Sequence, residues 1–142
     1  MGQEDYLKRQ FDQLGRVLAK ILSKLTGPDS GADASILFEN VRDVIGREMG
    51  LDLKKLSSIS GENLIDLIDG PEKVRMNNLA IFADILFELA EQIDGEIGDE
   101  VLIDALYSRS LFMNEYVHTR SPVYSLEREF RIATLQDRLS DK

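Results

Sequence analysis

Apolar residues return every three or four positions from Leu7 through Phe11, Leu14, Val17, Leu18, Ile21, Leu22 and Leu25. On a helix this spacing draws a stripe roughly 140° wide, so an amphipathic first helix is predicted over 4–26. Gly27-Pro28 ends it, the glycine suiting a left-handed cap and the proline being unable to continue the helix. A second helix is predicted over 33–49, with Leu37, Phe38, Val41, Val44, Ile45 and Met49 on one face and Gly50 as its stop.

The stretch 51–69 carries too many leucines and isoleucines for a solvated linker. Leu51, Leu53 and Leu56 read as a short turn or helix. Ser60 then caps another, with Glu62 in its first turn and Leu64, Ile65, Leu67 and Ile68 as anchors before Gly70-Pro71. This connector is expected to plug the space between longer helices.

From Val74 to Ile93 the apolar pattern wraps most of the helix, leaving Asn77, Asp84, Glu88 and Glu91 as a polar strip. Residues 99–118 repeat the behaviour, with Val101, Ala105, Phe112 and Tyr116 on one face and Leu102, Leu106, Met113 and Val117 on another. Helices apolar on two sides are packed on two sides. Ser121-Pro122 reads as the N-cap and first-position proline of a last helix over 122–139. No strand alternation occurs. The expectation is an all-α fold: one domain over 1–142 of stacked antiparallel hairpins, with about five main helices plus the short-helix connector.

Ala90, Gly98-Asp99, Tyr107, Ser110-Leu111 and Pro122 resemble positions of the 34-residue tetratricopeptide pattern, although Ile103 stands where alanine is usual and the chain has no Trp. More widely, Tyr6 to Leu22, the Gly50-Leu-Asp-Leu motif through Leu67-Ile68, and the Gly98-Asp99 hairpin resemble an uncharacterised family of small bacterial tetratricopeptide-repeat-like (TPR-like) proteins. The resemblance implies a TPR-like helical fold in the cytoplasm. It brings no activity and no catalytic residues to transfer.

Composition narrows the function classes. The 142 residues include no Cys, which removes disulfides, thiolate zinc sites and a cysteine nucleophile. The Met1-Gly2 start lacks the basic and apolar regions of a signal peptide, and no apolar run reaches membrane-spanning length, so a cytoplasmic protein is expected. A net charge of −9 opposes nucleic-acid binding. That charge is uneven: the first helix holds Lys8, Arg9, Arg16, Lys20 and Lys24, whereas residues 80–118 hold many acids and the single base Arg109.

Candidate chemistry is sparse. Glu115-Tyr-Val-His118 has the spacing of two metal ligands on one helical turn, but di-iron bundles need a second such motif and His118 is the only histidine. Asp94-Gly-Glu-Ile-Gly-Asp99 misplaces the glycine of a calcium loop. No phosphate-cradling glycine loop or nucleophile elbow occurs. The expectation is therefore no catalytic residues, no cofactor and no metal.

Two surfaces stand out. Asp84, Glu88 and Glu91 form an acidic strip able to meet a basic peptide or protein. In the last helix Val123, Leu126, Phe130 and Ala133 point one way while Ile132, Leu135 and Leu139 point nearly opposite, so the second stripe is covered either by the first helix or by another subunit. The leading expectation is a non-catalytic protein-interaction module or self-associating scaffold with an acidic surface, binding a protein or peptide and forming a homo-oligomer such as a homodimer. The alternative is a helical-bundle enzyme or metal-binding protein with a carboxylate-lined site. A third reading lays the basic first helix on an anionic membrane.

Overall fold

The computed structural model describes residues 3–27 and 33–141, with side chains in the first helix from residue 9 onward. The Met1-Gly2 start, Pro28 of the helix-ending pair and the side chain of Leu7 lie outside the described residues. In chain order the elements are α1 (Gln3–Thr26), α2 (Ala34–Met49), a 3-10 turn (Leu53–Ser58), α3 (Gly61–Asp66), α4 (Glu72–Ile93), α5 (Glu100–Arg120) and α6 (Leu126–Ser140). The fold is all-helical, with no strand among the described residues.

Local chemistry sets most boundaries. The Asp33 carboxylate accepts from the backbone N–H groups of Ser35 and Ile36 and starts α2, which stops at Gly50, where φ of +68° suits a residue without Cβ. Asp52 caps the 3-10 turn through Lys54 N–H, and Ser60 caps α3 through Asn63 N–H. Asp99 accepts from Leu102 N–H and opens α5.

The expected start of the last helix needs correcting. Ser121-Pro122 does not open α6; Ser121 ends α5, its N–H bonding to the Val117 carbonyl. Proline disfavours helical geometry in the residue before it, and Ser121 is accordingly extended. The N-cap is Ser125, whose hydroxyl accepts from Arg128 N–H.

α4 and α5 form the centre. Two contacts run in opposite sequence directions, Ser110 Oγ donating to the Ala83 carbonyl at 2.7 Å and Tyr107 Oη donating to Glu91 at 2.6 Å, so the two helices are antiparallel. α1 lies parallel to α4: Asn78 Nδ2 donates to the Phe11 carbonyl at 3.1 Å, and Gln92 Nε2 donates to the Leu25 carbonyl at 2.7 Å. Gly15 permits this approach, since a Cβ there would stand 2.7 Å from Asn78 Oδ1. The apolar excess of α4 follows from its position between α1, α2 and α5.

The connector is the expected plug. Leu51, Leu53, Leu56, Leu64, Ile65 and Ile68 are all buried, and the 3-10 turn and α3 pack on α5. Two arginines fasten it by its own carbonyls. Arg109 Nε donates to Ile59 O, and Arg75 donates from Nε to Ile68 O just past α3 and from Nη2 to Ile65 O, which also accepts from Ile68 N–H. One face of α5 is less covered than its pattern predicts: Ala105 is buried, yet Val101 and Phe112 are exposed.

Candidate functional site

The apolar residues of the last helix divide on burial. Leu135 is fully buried in the core, Leu139 packs against that core half-buried, and Ile132 is half-buried. This stripe thus faces the chain's own core at Leu135 and is partly covered at Ile132 and Leu139. α1 does not cover it: α5 packs along α6, and α4 grips its side through ion pairs. The open face is the other one, where Val123 is 71%, Tyr124 67%, Leu126 56% and Phe130 65% exposed.

The acidic strip is likewise engaged within the chain. Arg131 reaches Asp84 at 3.0 Å and Glu88 at 3.6 Å, and lies with its guanidinium carbon 4.1 Å from the Phe87 ring centre. Arg138 meets Glu91 with both prongs, Nη2–Oε1 at 2.9 Å and Nε–Oε2 at 3.2 Å. Burial raises the Asp84 and Glu88 carboxyls above their ordinary range despite Arg131. Glu91 is lowered, chiefly by the hydrogen bond from Arg138. Burial and the neighbouring Glu91 carboxylate push the Tyr107 phenol strongly up, so it stays a neutral donor. Asp84, Glu88 and Glu91 thus act as an internal clasp between α4 and α6 rather than as an open acidic surface. The sequence holds the signal: Asp84 and Glu91 lie seven residues apart in one helix, Arg131 and Arg138 seven apart in the other.

Glu115 and His118 lie in the last turns of α5. Glu115 is exposed, and the His118 ring tilts against Tyr124 at 5.9 Å between ring centres. Among the described residues no three or more His, Asp or Glu side chains gather where a metal ion could sit. No described helix is long and apolar enough to cross a membrane.

A groove of about 550 Å³ runs between α1 and α2. α1 uses part of its stripe on α4, burying Leu18 and Leu25, and turns Val17 and the side of Ile21 toward α2. α2 supplies Leu37, Val41 and Val44, completing an apolar floor. Lys20 and Lys24 border it on the α1 side; Arg47, with Asp43 and Glu48, borders it on the other. Periodicity alone missed this groove, because both helices read as ordinary amphipathic elements with one core face each.

Such a trough offers apolar contact flanked by charge. No family model matches the chain, and no curated protein and no solved structure matches it either.

Proposed function

We propose that the protein is a non-catalytic helical interaction module that receives an amphipathic, acid-flanked helix in the groove between α1 and α2. The observation that carries this reading is the apolar floor of Val17, Leu37, Val41 and Val44 beside the lysines Lys20 and Lys24 of the α1 border, the α2 border being mixed in charge with Arg47, Asp43 and Glu48. A helix laid there buries one apolar face and sets its flanking carboxylates against the lysines. TPR-like stacking belongs to the same proposal, and the parallel course of α1 and α4 with α5 returning antiparallel supports it.

The test titrates the full chain with a fluorescent helical peptide that carries leucines on successive turns and glutamates beside them. Saturable binding is expected, with amide shift changes along α1 and α2, weakening with added salt, and a drop of roughly tenfold in Lys20→Glu/Lys24→Glu. Absence of binding, or shifts confined to other helices, overturns the reading. So does preferential sedimentation with anionic vesicles, which would favour α1 as a membrane-surface helix.

A further inference from the structure

We infer that the occupant of the groove is α6 of a second copy of this chain, so that the protein assembles head to tail. The inference rests on the groove reading above and adds the identity of the partner. α6 presents outward what the groove accepts: Leu126, Phe130 and Ala133 form an exposed line at i, i+4 and i+7. Glu127 and Glu129, both exposed, stand on either side of it.

The charge pattern of that face follows from how α6 is held. Arg131 and Arg138 are committed to Asp84, Glu88 and Glu91, and Arg128 is half-buried beside Asp84 and Asn114. With Arg131 and Arg138 engaged by α4 and Arg128 half-buried, the first two turns of α6 expose the carboxylates of Glu127 and Glu129, Glu127 also bordering the cavity beside Arg128. The groove offers Lys20 and Lys24 along its α1 border, while Arg47 stands with Asp43 and Glu48 along the α2 border, so the lysine side is the one that receives the carboxylates. The lengths agree as well: at about 1.5 Å per residue, Leu126 to Ala133 spans about 10 Å, and Val17 to Leu25 about 12 Å.

Pairing α6 with α6 across a two-fold axis instead would bring together two faces that each carry Glu127 and Glu129, without the lysines that border the groove. Groove and α6 are different surfaces of one chain, so the contact is heterologous. Each copy leaves one of each surface open, and growth continues past the dimer unless a ring closes.

The experiment measures solution mass by light scattering and sedimentation over a wide concentration range, for the wild type, Phe130→Asp and Lys20→Glu/Lys24→Glu. Both variants change exposed side chains, and circular dichroism verifies that they fold. The wild type is expected to grow with concentration beyond two copies or to a closed ring. Each variant alone should associate at least tenfold more weakly. Mixed together they should form a one-to-one pair, because Phe130→Asp keeps its groove and the lysine variant keeps its α6. Adding Glu127→Lys/Glu129→Lys to the lysine variant should restore self-association. A two-fold dimer untouched by the lysine changes, or a mixture that stays monomeric, overturns the inference. A wild type that is monomeric throughout and still binds the acidic peptide also overturns it and leaves the groove reading standing.

Discussion

The Arg138 guanidinium grips the Glu91 carboxylate with two parallel N–H bonds, at 2.9 and 3.2 Å, while the Tyr107 hydroxyl donates to the same carboxylate at 2.6 Å. Three helices meet in that one group. Glu91 belongs to α4, Tyr107 to α5 and Arg138 to α6, so the triad sets the register of the C-terminal helix on the central hairpin.

Replacing Arg138 with methionine keeps the apolar stem and removes the fork. The pair is partly open to solvent, so a loss of about 1 kcal/mol at neutral pH is expected, and not the several kcal/mol of a buried charge left alone. Urea denaturation of the two proteins at low salt measures the difference.

Acid should reveal Glu91 and Asp84 with opposite signs. Glu91 is lowered in the folded state, so its contribution is present above the unfolded carboxyl value of about 4.3 and disappears as pH falls through the lower folded value. Asp84 is raised by burial, so its ionisation opposes folding above its folded value, and that cost disappears as pH falls toward the unfolded value of about 3.9. Glu91→Gln should therefore lose stability relative to wild type at neutral pH and converge with it in acid. Asp84→Asn should show a neutral or positive difference at pH 7 that likewise vanishes in acid. Denaturation midpoints at a series of pH values decide this, and an Asp84→Asn deficit as large as that of Glu91→Gln contradicts the assignment.

Gly15→Ala sets helix propensity against sterics. Alanine gains about 0.5–1 kcal/mol in a helix interior, but its Cβ would stand 2.7 Å from the Oδ1 of buried Asn78, whose amide donates to Phe11 O. Forcing a methyl into such a contact costs about 1–3 kcal/mol, so net destabilisation is expected. Thermal unfolding, together with loss of amide protection along α1, tests it.

The plug makes a paired prediction. Leu64→Ala, at a fully buried position, should cost about 2–5 kcal/mol. Leu67→Ala, three residues on and 42% exposed, should change stability by less than about 0.5–1 kcal/mol. Equal effects in chemical denaturation would show that the connector is not packed as a plug.

Several of these relationships were legible along the chain. The two-sided apolar pattern of 74–93 and 99–118 pointed to central helices, and the leucines of 51–69 pointed to a buried connector, because burial of apolar surface is the main drive for each and leaves a periodic trace. The strip of Asp84, Glu88 and Glu91 was legible as a cluster, but its partners were not, since Arg131 and Arg138 lie 47 residues further on. The stripe of Ile132, Leu135 and Leu139 was legible as apolar, but the pattern left open whether the first helix or another subunit covers it, and in the structure it packs toward α5. Hydrophobic period locates the faces of a helix; the neighbour available in space chooses which of them is covered.

The amino-acid order by itself determined where helices begin and end to within a few residues, and which of them must be buried on two sides. Side-chain caps, left-handed glycines and apolar spacing act over a single turn. Tertiary structure alone decided that α1 lies along α4, that the acids of α4 are paired by α6, and that a groove with lysines along its α1 border stays open between α1 and α2. Those outcomes depend on contacts between groups dozens of residues apart, where burying one face and pairing one charge settles what the opposite face of the same helix leaves to a partner.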